Sequence, residues 1–282
     1  MQSKKLEGKV AIVTGSRMGI GKAIAENLAQ QGASVVLNAR SLSQLETTAA
    51  QFRENGYDVI AVSGDISKWE DAEAIVMAAI NQWGRLDILI NNAGAATRGS
   101  IESMSPEVFR NVTETNILGS IYPTKAALPW IVKQKGNIVF ISSIASFHGL
   151  PFNSIYSASK KALTAFCESL RLELTGTGVH TGIAYVGFTE NDPQKVIMDA
   201  DGKLIYLEER QGIRKQTPDQ VAQIVSKMIH RRKKSTTLSL MGKGLRLGKW
   251  LAPGLIHWFF SKNIEKIRAN SSGKPNYVQP GS

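Results

Sequence analysis

Short apolar runs alternate with longer amphipathic segments along most of this chain. Runs typical of buried strands lie at Lys9–Val13, Ser34–Ala39, 58–62, Leu86–Ile90, Asn137–Ile141, Thr181–Tyr185 and Thr236–Leu240. Segments with helical periodicity connect them at 22–31, 42–55, 68–82, 105–133, 161–174 and from Thr217 onward. Strands that alternate with helices predict an α/β fold, namely a single doubly wound parallel sheet with helices on both faces.

The last predicted strand ends near Met241, and a segment of different character follows it. We therefore divide the chain into a catalytic domain, residues 1–241, and a tail, residues 242–282. Apolar residues recur at helical spacing in the tail, at Ile256, Phe260, Ile264 and Ile267. This spacing predicts an amphipathic helical tail, and the composition of residues 272–282 predicts a frayed end.

The charge is concentrated at the C-terminal end. The chain has 282 residues, is 43% hydrophobic and carries a net charge of +11. From Arg210 onward there are 15 Lys and Arg against 2 acidic residues, and the remainder has 19 against 21. Any anionic partner should therefore meet the last quarter, where basic residues flank the apolar positions at Arg231–Lys234, Lys243, Arg246, Lys249, Lys262, Lys266 and Arg268.

Two interpretations of this basic tail remain open. A basic amphipathic segment can lie in the interface of an anionic membrane. The same pattern fits a helix that packs on its own domain or on a second subunit, with solvated charges outside. We do not expect nucleic acid binding, because no recognition motif accompanies the charge.

We also expect this protein to lack several features, namely a disulfide, a signal peptide, a membrane span and a metal site. Cys167 is the single cysteine and lies in a helical pattern, so we expect a small core residue and no disulfide within the chain. No signal peptide precedes the first strand, and no run reaches the ~20 apolar residues of a membrane span. The four histidines have no ligand spacing, so no metal is expected. We expect a cytoplasmic protein, with peripheral membrane binding through the tail as an option.

A glycine-rich turn follows the first strand directly. It runs from Thr14 to Gly21, with glycines at 15, 19 and 21, and leads into a helix. This arrangement cradles phosphates, because backbone N–H groups and the positive end of the helix dipole face the anion. The spacing differs from the general G-x-G-x-x-G fingerprint, so an ordinary glycine-rich turn remains the alternative.

The second strand indicates which dinucleotide would bind. It ends in Ala39-Arg40-Ser41, without the acidic residue that binds a ribose 2′-hydroxyl. A guanidinium can bind a 2′-phosphate bidentately, so Arg40 favours NADP over NAD, unless it is merely a solvated loop charge. Asp65, just past the third strand, could reach an adenine amino group. The small residues of Asn91–Gly94 would let a cofactor lie against the strand ends.

Tyr156 and Lys160 are candidates for proton transfer. They lie four apart on one predicted helix and so share a face, with roughly 5–6 Å between Cβ atoms. A neighbouring ammonium favours the charged phenol, which would lower the tyrosine pKa from about 10. Ser143, at the end of the preceding strand, could place a hydroxyl at the same point. Asn116 either bonds a neighbouring carbonyl or interrupts its helix beside the site.

Together, these motifs resemble those of the short-chain dehydrogenase/reductase family over roughly residues 8–240. Thr14-Gly15-x-x-x-Gly19-x-Gly21 is similar to the family's cofactor turn, and Asn91–Gly94 is similar to its central strand motif. Asn116, Ser143, Tyr156 and Lys160 fall at the positions of its catalytic tetrad. The resemblance implies a Rossmann-like NADP(H)-dependent oxidoreductase that transfers hydride between nicotinamide and a carbonyl or secondary alcohol.

The resemblance also implies a role for each residue. Tyr156 would protonate the substrate oxygen, Ser143 would hold and polarise that oxygen, and Asn116 would anchor a water that relays protons to Lys160. Lys160 would bind the nicotinamide ribose and depress the pKa of Tyr156. We assign cofactor binding to Gly15, Ser16, Arg17, Gly19, Ile20, Gly21, Arg40, Ser41, Asp65, Ile66, Asn92, Ala93, Gly94, Tyr156, Lys160, Val186, Gly187 and Thr189.

The sequence departs from the family pattern in two segments, after the sixth strand and in the glycine turn. Val186 and Asn191 stand where the family usually has proline and threonine, although Thr189 or Asn191 could still bond the carboxamide. The turn carries Arg17-Met18, whereas NADP-dependent members often have the basic residue directly before the second glycine. The Val186 departure permits a rival function, a catalytically silent NADP-binding regulator.

The residues around the site predict a lipophilic substrate. Apolar residues lie between Ser143 and Tyr156, and others lie in a polar, irregular stretch to about Gln216 that we expect to act as a lid. They are Phe147, Leu150, Pro151, Phe152, Phe188, Leu204, Ile205 and Tyr206. Steroids, retinoids, long-chain ketones and sphingoid ketones are candidates, with 3-oxoacyl thioesters as the alternative. We expect a homo-oligomer, either a dimer or a tetramer.

Overall fold

Seven parallel strands form one sheet in the order β3-β2-β1-β4-β5-β6-β9. The structure is a computed structural model that describes residues 5–207, 212 and 214–271. Its strands are β1 (Val10–Val13), β2 (Ser34–Ala39), β3 (Val59–Ser63), β4 (Ile88–Asn91), β5 (Asn137–Ser143), β6 (His180–Val186), β7 (Val196–Met198), β8 (Leu204–Tyr206) and β9 (Ser235–Thr237). The predicted doubly wound, Rossmann-like sheet is confirmed.

Helices cover both faces of this sheet. They are α1 (Gly19–Gln30), α2 (Leu42–Glu54), α3 (Trp69–Trp83), α4 (Pro106–Thr113), α5 (Gly119–Gln134), α6 (Ser154–Glu173), α7 (Pro218–His230), α8 (Leu240–Leu251), α9 (Pro253–Lys262) and α10 (Ile264–Ser271). Helices α1, α2 and α7 pack on one face, whereas α3, α5 and α6 pack on the other. Cys167 is buried in the second layer, where burial raises the pKa of its thiol to about 11, so it is the core residue we expected.

The strand order places a crevice at the carboxyl ends of β1 and β4. Strand β1 pairs with β2 on one side and with β4 on the other, so the chain winds outward in both directions from this point. Ligands of open α/β sheets bind at such a reversal. The register pairs Val13 with Ile90, and the segments that follow both strands therefore meet at the crevice.

The long helix predicted at 105–133 is interrupted. Helices α4 and α5 are separated by a π turn at Glu114–Leu118, which contains the buried Asn116. A π turn inside an α-helix often marks a functional site.

The stretch predicted to be irregular up to Gln216 contains an antiparallel hairpin of β7 and β8, so that part of the prediction was wrong. Ile197 and Ile205 pair across the hairpin and are buried, which supplies an apolar side that the polar neighbours obscured in the sequence. Met198 also forms a bridge with Thr97, which fixes the hairpin against the segment after β4. Residues 208–211 and 213 of this stretch lie outside the described part.

Strand β9 is shorter than predicted, because Ser239 begins a helix instead. The Ser239 hydroxyl accepts a hydrogen bond from the Gly242 amide at 3.1 Å and caps α8. Helices α9 and α10 follow, and residues 272–282, where a frayed end was predicted, lie outside the described residues. Among the helices described, none is both long and apolar enough to cross a bilayer.

Candidate active site

The glycine-rich turn between β1 and α1 is shaped by its glycines. Gly15 has a φ of +62°, and a Cβ there would lie only 2.8 Å from the Ala93 Cα. A Cβ on Gly21 would lie 2.2 Å from the Gly15 carbonyl oxygen. Helix α1 begins at Gly19 without a side-chain cap from Met18 and with no acidic residue in its first turn. Its first amides are therefore suited to an anion.

The segment after β4 holds this turn in place. The Thr14 hydroxyl accepts hydrogen bonds from the Asn92 and Ala93 amides at 3.0 and 3.1 Å. The Asn92 Nδ2 donates to the carbonyl oxygens of Thr14 and Gly15 at 2.9 and 3.1 Å. The side chain of Asn92, predicted to bind the cofactor, thus stabilises the turn.

Three other predicted cofactor residues direct their side chains into the protein. The buried Ser16 hydroxyl accepts from the Asn38 amide at 2.9 Å, which fixes the turn to β2. Ile20 packs against the buried core on the α1 side of the sheet. Ile66 is buried, and a Cβ on Gly119 would lie 2.6 Å from the Ile66 Cδ1. The backbone of these residues, rather than the side chain, is left to face a cofactor.

Polar residues at the ends of β2 and β3 form the region predicted for adenosine. Arg40 is exposed directly after β2, and Ser41 precedes α2. Burial alone would raise the pKa of Asp65, but hydrogen bonds from the Ser67 hydroxyl and amide and the charges of Arg40 and Lys68 hold it below its ordinary value. The Asp65 carboxylate is therefore ionised at neutral pH and lies within the field of Arg40.

Arg17 connects the turn to the segment after β6, which is predicted to act as a lid. Its Nη1 donates a hydrogen bond to the Gln194 Oε1 at 3.1 Å, across 177 positions of sequence. Gln194 is in turn held by the Asp192 carboxylate, which accepts a hydrogen bond from the Gln194 backbone N–H at 2.9 Å. Gln194 could not be found from the sequence, because a single side-chain amide in a polar loop has no recognisable pattern.

Lys160 is buried at the centre of the site. Its Nζ donates to the Ile141 carbonyl oxygen at 3.0 Å and lies 5.9 Å from the centroid of the Tyr156 ring. A Cβ on Gly94 would lie 3.2 Å from both Lys160 Nζ and Asn116 Oδ1. Burial, and then the charge of Lys195 in the lid, lower the pKa of Lys160 to about 8.

Asn116 satisfies both interpretations offered for it, since it bonds a carbonyl and lies where the helix is interrupted. Its Oδ1 accepts from the Ala95 amide at 2.7 Å, and its Nδ2 donates to the Ala95 carbonyl oxygen at 3.0 Å. Its Nδ2 also donates to the Ser159 hydroxyl at 2.9 Å, and that hydroxyl donates to the Tyr156 carbonyl oxygen at 2.8 Å. Ser159 thus joins Asn116 to the helix of Tyr156 and Lys160, a link that the sequence did not reveal.

Ser143 and the segment after β6 lie side by side. Ser143 is the last residue of β5 and pairs with Val186, the last residue of β6. Its Oγ accepts from the Ala145 amide at 3.2 Å. Gly187, the next residue, lies so close to Ser239 that a Cβ on Gly187 would be 2.5 Å from the Ser239 Oγ. Thr189 forms a backbone bridge with Gln216. Val186 is therefore an ordinary ladder residue where the family usually has proline.

The predicted substrate residues differ in burial. Ile205 is buried, whereas Leu204 is 49% exposed. Phe147 is half-buried and packs against Tyr185 beside the core, with ring centroids 4.5 Å apart. The remaining residues are also half-buried, namely Leu150, Pro151, Phe152, Phe188 and Tyr206. Phe152 has a φ of +60°, a costly conformation for a non-glycine residue and one that clusters at functional sites.

Comparison with known proteins agrees with this geometry. A family model described as short chain dehydrogenase matches residues 9–201. The chain belongs to the short-chain dehydrogenase family. It is therefore an oxidoreductase, and members of this family use a nicotinamide cofactor.

Several relatives of this short-chain dehydrogenase are hydroxysteroid dehydrogenases by name. An 11-beta-hydroxysteroid dehydrogenase 1A of Arabidopsis thaliana is 36% identical over 91% of this chain and 75% of its own length. An 11-beta-hydroxysteroid dehydrogenase A of Sesamum indicum is 38% identical over 67% of this chain and 55% of its own. An alcohol dehydrogenase of Thermococcus sibiricus, solved with 5-hydroxy-NADP, matches with a TM-score of 0.72 and 26% identity over 82% of this chain and 95% of that chain.

The site of this short-chain dehydrogenase fits a dinucleotide. The uncapped start of α1 offers amides to a phosphate, and Gly94 leaves the surface open beside Lys160 and Asn116. Among the residues that the structure describes, no group of three or more His, Cys, Asp or Glu is arranged to hold a metal ion.

Proposed function

We propose that this protein is an NADP(H)-dependent oxidoreductase acting on a carbonyl or secondary alcohol of a lipophilic substrate. The observation that carries the proposal is the position of buried Lys160, which lies 5.9 Å from the centroid of the Tyr156 ring and borders Gly94 together with Asn116, beside the glycine turn. This arrangement provides a proton donor and a positive charge within a single site.

When bound, the nicotinamide supplies the hydride in reduction and accepts it in oxidation. In reduction, Tyr156 donates its phenolic proton to the substrate oxygen, while the Ser143 hydroxyl holds that oxygen by a hydrogen bond. Positioned donors of this kind stabilise negative charge as it develops in the transition state. In oxidation the same groups act in reverse.

Lys160 stabilises the tyrosinate that remains after proton transfer. Its pKa of about 8 leaves it mostly charged at neutral pH, and a nearby ammonium favours an ionised phenol. Asn116 would anchor the water that relays a proton back to Lys160, because its Oδ1 and the lysine Nζ border the same point at Gly94.

NADP is the dinucleotide that we assign. Arg40 is exposed at the end of β2, where an acidic residue would repel a 2′-phosphate, and Arg17 lies on the turn beside it. The neighbouring archaeal structure was solved with an NADP analogue. Titration of both cofactors should show tighter binding of NADPH than NADH, and Arg40→Asp should reverse the preference. Equal or tighter binding of NADH by the unaltered protein would contradict this assignment.

The substrate class follows from the apolar residues around the site. Half-buried Leu150, Pro151 and Phe152 lie between Ser143 and Tyr156, and Leu204 of the lid is exposed. The names of several relatives point to steroids within this class. Retinoids, long-chain ketones and sphingoid ketones share the same chemistry.

A panel of ketones tests the proposal directly. NADPH oxidation is measured with steroid, retinoid, long-chain and sphingoid ketones, with 3-oxoacyl thioesters, and with small polar ketones of equal intrinsic reactivity. We expect the highest kcat/KM for a lipophilic ketone. A preference for the thioester selects the alternative substrate class, and a preference for small polar ketones contradicts lipophilic specificity.

A catalytically silent regulator is the second candidate, and it rests on Val186 and Asn191 in place of the family residues. It predicts that NADPH binds but that no member of the panel is turned over. Binding measured by NADPH fluorescence, beside turnover measured in the same samples, separates the two functions.

A further inference from the structure

The tail presents two apolar stripes to the outside. On α8 they are Leu247, Trp250 and Leu251, and on α9 they are Leu255, Trp258 and Phe259, at the same i, i+3, i+4 spacing. All six side chains are between 55% and 80% exposed. We call these six residues the outer tail face. Large contiguous exposed apolar patches mark interaction sites.

The opposite side of the tail is fixed to the catalytic domain. A Cβ on Gly242 would lie 2.5 Å from Ile144, and the Arg246 guanidinium lies 5.8 Å from the centroid of the Phe147 ring. Phe260 of α9 stacks on His148, with centroids 5.2 Å apart and an angle of 6° between the rings. The stripe predicted from the sequence, which includes Ile256 and Phe260, is therefore this inner side. The outer tail face is a second apolar surface.

The charges around the outer tail face are positive. Residues 240–271 contain six Lys and Arg against one acidic residue, Glu265. Of the six, Arg246 lies on the inner side and Arg268 pairs with Glu265 at 2.9 Å, and the other four are Lys243, Lys249, Lys262 and Lys266. Lys262 lies 5.0 Å from the centroid of the Trp258 ring, so one cation is paired with an exposed aromatic group. A second copy of this chain would bring the same positive charge against it, which costs free energy.

The basic run Arg231–Lys234 does not belong to this surface. It precedes β9, whereas α8 follows β9, so the two lie at opposite ends of that strand. The Arg232 guanidinium also bonds the Gly178 carbonyl oxygen at the amino end of β6. The charge pattern grouped this run with the tail, although the strand predicted at Thr236–Leu240 already lies between them.

We propose that the outer tail face docks the protein on the surface of an anionic lipid bilayer. Leucine and phenylalanine would enter the acyl boundary, tryptophan would lie at the headgroup level, and lysine would reach the lipid phosphates. Each basic residue near such a surface adds to the binding, and salt screens that contribution. The bilayer would then lie about one helix diameter, ~10 Å, from the Ile144–His148 loop that follows Ser143. If the proposed function holds, an amphiphilic substrate would be collected there.

Sedimentation with vesicles tests the docking without any measurement of turnover. Full-length protein is mixed with phosphatidylcholine vesicles, with or without about one third phosphatidylserine, at low and high salt. We expect binding to the anionic vesicles, weakened at high salt. Trp250→Ala with Trp258→Ala, and separately Lys249→Glu with Lys262→Glu, should each lower the partition coefficient roughly tenfold or more.

Matched variants control for composition and charge. Leu172→Ala with Met77→Ala removes exposed apolar groups elsewhere, and Lys233→Glu with Lys234→Glu makes the same charge change across β9. Both pairs should bind vesicles as the unaltered protein does. Trp250→Phe with Trp258→Phe should keep binding but lose the vesicle-induced blue shift of tryptophan fluorescence. NADPH binding checks that each variant is folded.

Three results would overturn the proposal. Binding that is lost with the Lys233 and Lys234 variants but kept with the tail variants would place the membrane surface elsewhere. Equal binding to neutral and anionic vesicles, insensitive to salt, would refute recognition of anionic lipid. Absence of vesicle binding, together with a change of oligomeric state in the tail variants, would make the outer tail face an interface between subunits.

Discussion

The candidate active site buries polar side chains, whereas the C-terminal tail exposes apolar ones. Lys160, Asn116 and Ser159 are almost inaccessible to solvent, while Trp250 and Leu255 are 80% and 64% exposed. Both arrangements cost free energy in water, since buried polar groups must find partners and exposed apolar groups order the solvent around them.

The two regions differ in how that cost is met. At the candidate active site, hydrogen bonds within the protein connect Asn116 to Ala95 and Ser159, and Lys160 to Ile141. The outer tail face has no such internal compensation, because its side chains point away from the domain that α8 and α9 pack against. The function of the candidate active site can therefore be inferred from its internal bonds, and that of the tail from the chemistry of the surface it leaves exposed.

The largest expected effect is the loss of reduction in Tyr156→Phe. This change removes the proton donor and little else, so kcat should fall by about 10³-fold or more. Steady-state NADPH oxidation with the best ketone of the panel measures it, and retained NADPH binding is the control. Unchanged turnover in Tyr156→Phe would contradict the proposed role of Tyr156 as proton donor.

The next effect tests the geometry around Gly94. In Gly94→Ala the new methyl group would lie 3.2 Å from Lys160 Nζ and Asn116 Oδ1, so kcat should fall about 10- to 100-fold without unfolding. Gly149→Ala, where a Cβ meets nothing within 4 Å, is the matched control in the substrate loop. Equal kinetics in the two variants would show that Gly94 does not shape the site.

A pH profile tests the charge of the buried lysine. Because the pKa of Lys160 is about 8, its positive charge is present below that pH and lost above it. The kcat/KM for reduction should decline about tenfold per pH unit above pH 8. Burial is the larger cause of this low pKa and the charge of Lys195 adds to it, so in Lys195→Gln the decline should move to higher pH. A profile that stays flat to pH 10 contradicts the role of Lys160.

The smallest effect belongs to the tail. Trp258→Ala should change the free energy of unfolding by less than about 0.5 kcal/mol, because the side chain is already exposed. Phe140→Ala, at a fully buried position of β5, should cost about 3–5 kcal/mol. Urea denaturation followed by circular dichroism compares them, and a large loss in Trp258→Ala would mean that the tail supports the domain.

The sequence was sufficient for the sheet because each buried parallel strand is a short apolar run. Ser34–Ala39 has the same bounds in the structure as in the prediction, and Asn137–Ile141 is extended only to Ser143. The relative positions of the candidate site residues also followed from the sequence pattern, since Tyr156 and Lys160 lie four apart on one helix and Ser143 ends the strand before it.

Features that depend on three-dimensional contacts were not predictable. The sequence could not show that Ser159 bonds Asn116, that Gln194 reaches Arg17, or that Lys195 acts on Lys160. The hairpin of β7 and β8 was missed because three-residue strands give almost no alternation. In the tail, the spacing identified helical segments, but one apolar stripe could not be assigned to the inner or the outer side before the structure placed Phe260 on His148.

The π turn at Glu114–Leu118 sets the rotational phase of α5. A π turn accommodates one residue more than an α-helical turn does, and each residue of an α-helix advances the side chains by about 100°. Deletion of one residue there would join α4 and α5 into a continuous helix and rotate every later position of α5 by that angle. A bulkier residue would then occupy the position at which Gly119 now packs on Ile66. The extra residue of the π turn thus lets α4 and Asn116 keep one rotational orientation, while α5 keeps the orientation in which it packs on the sheet.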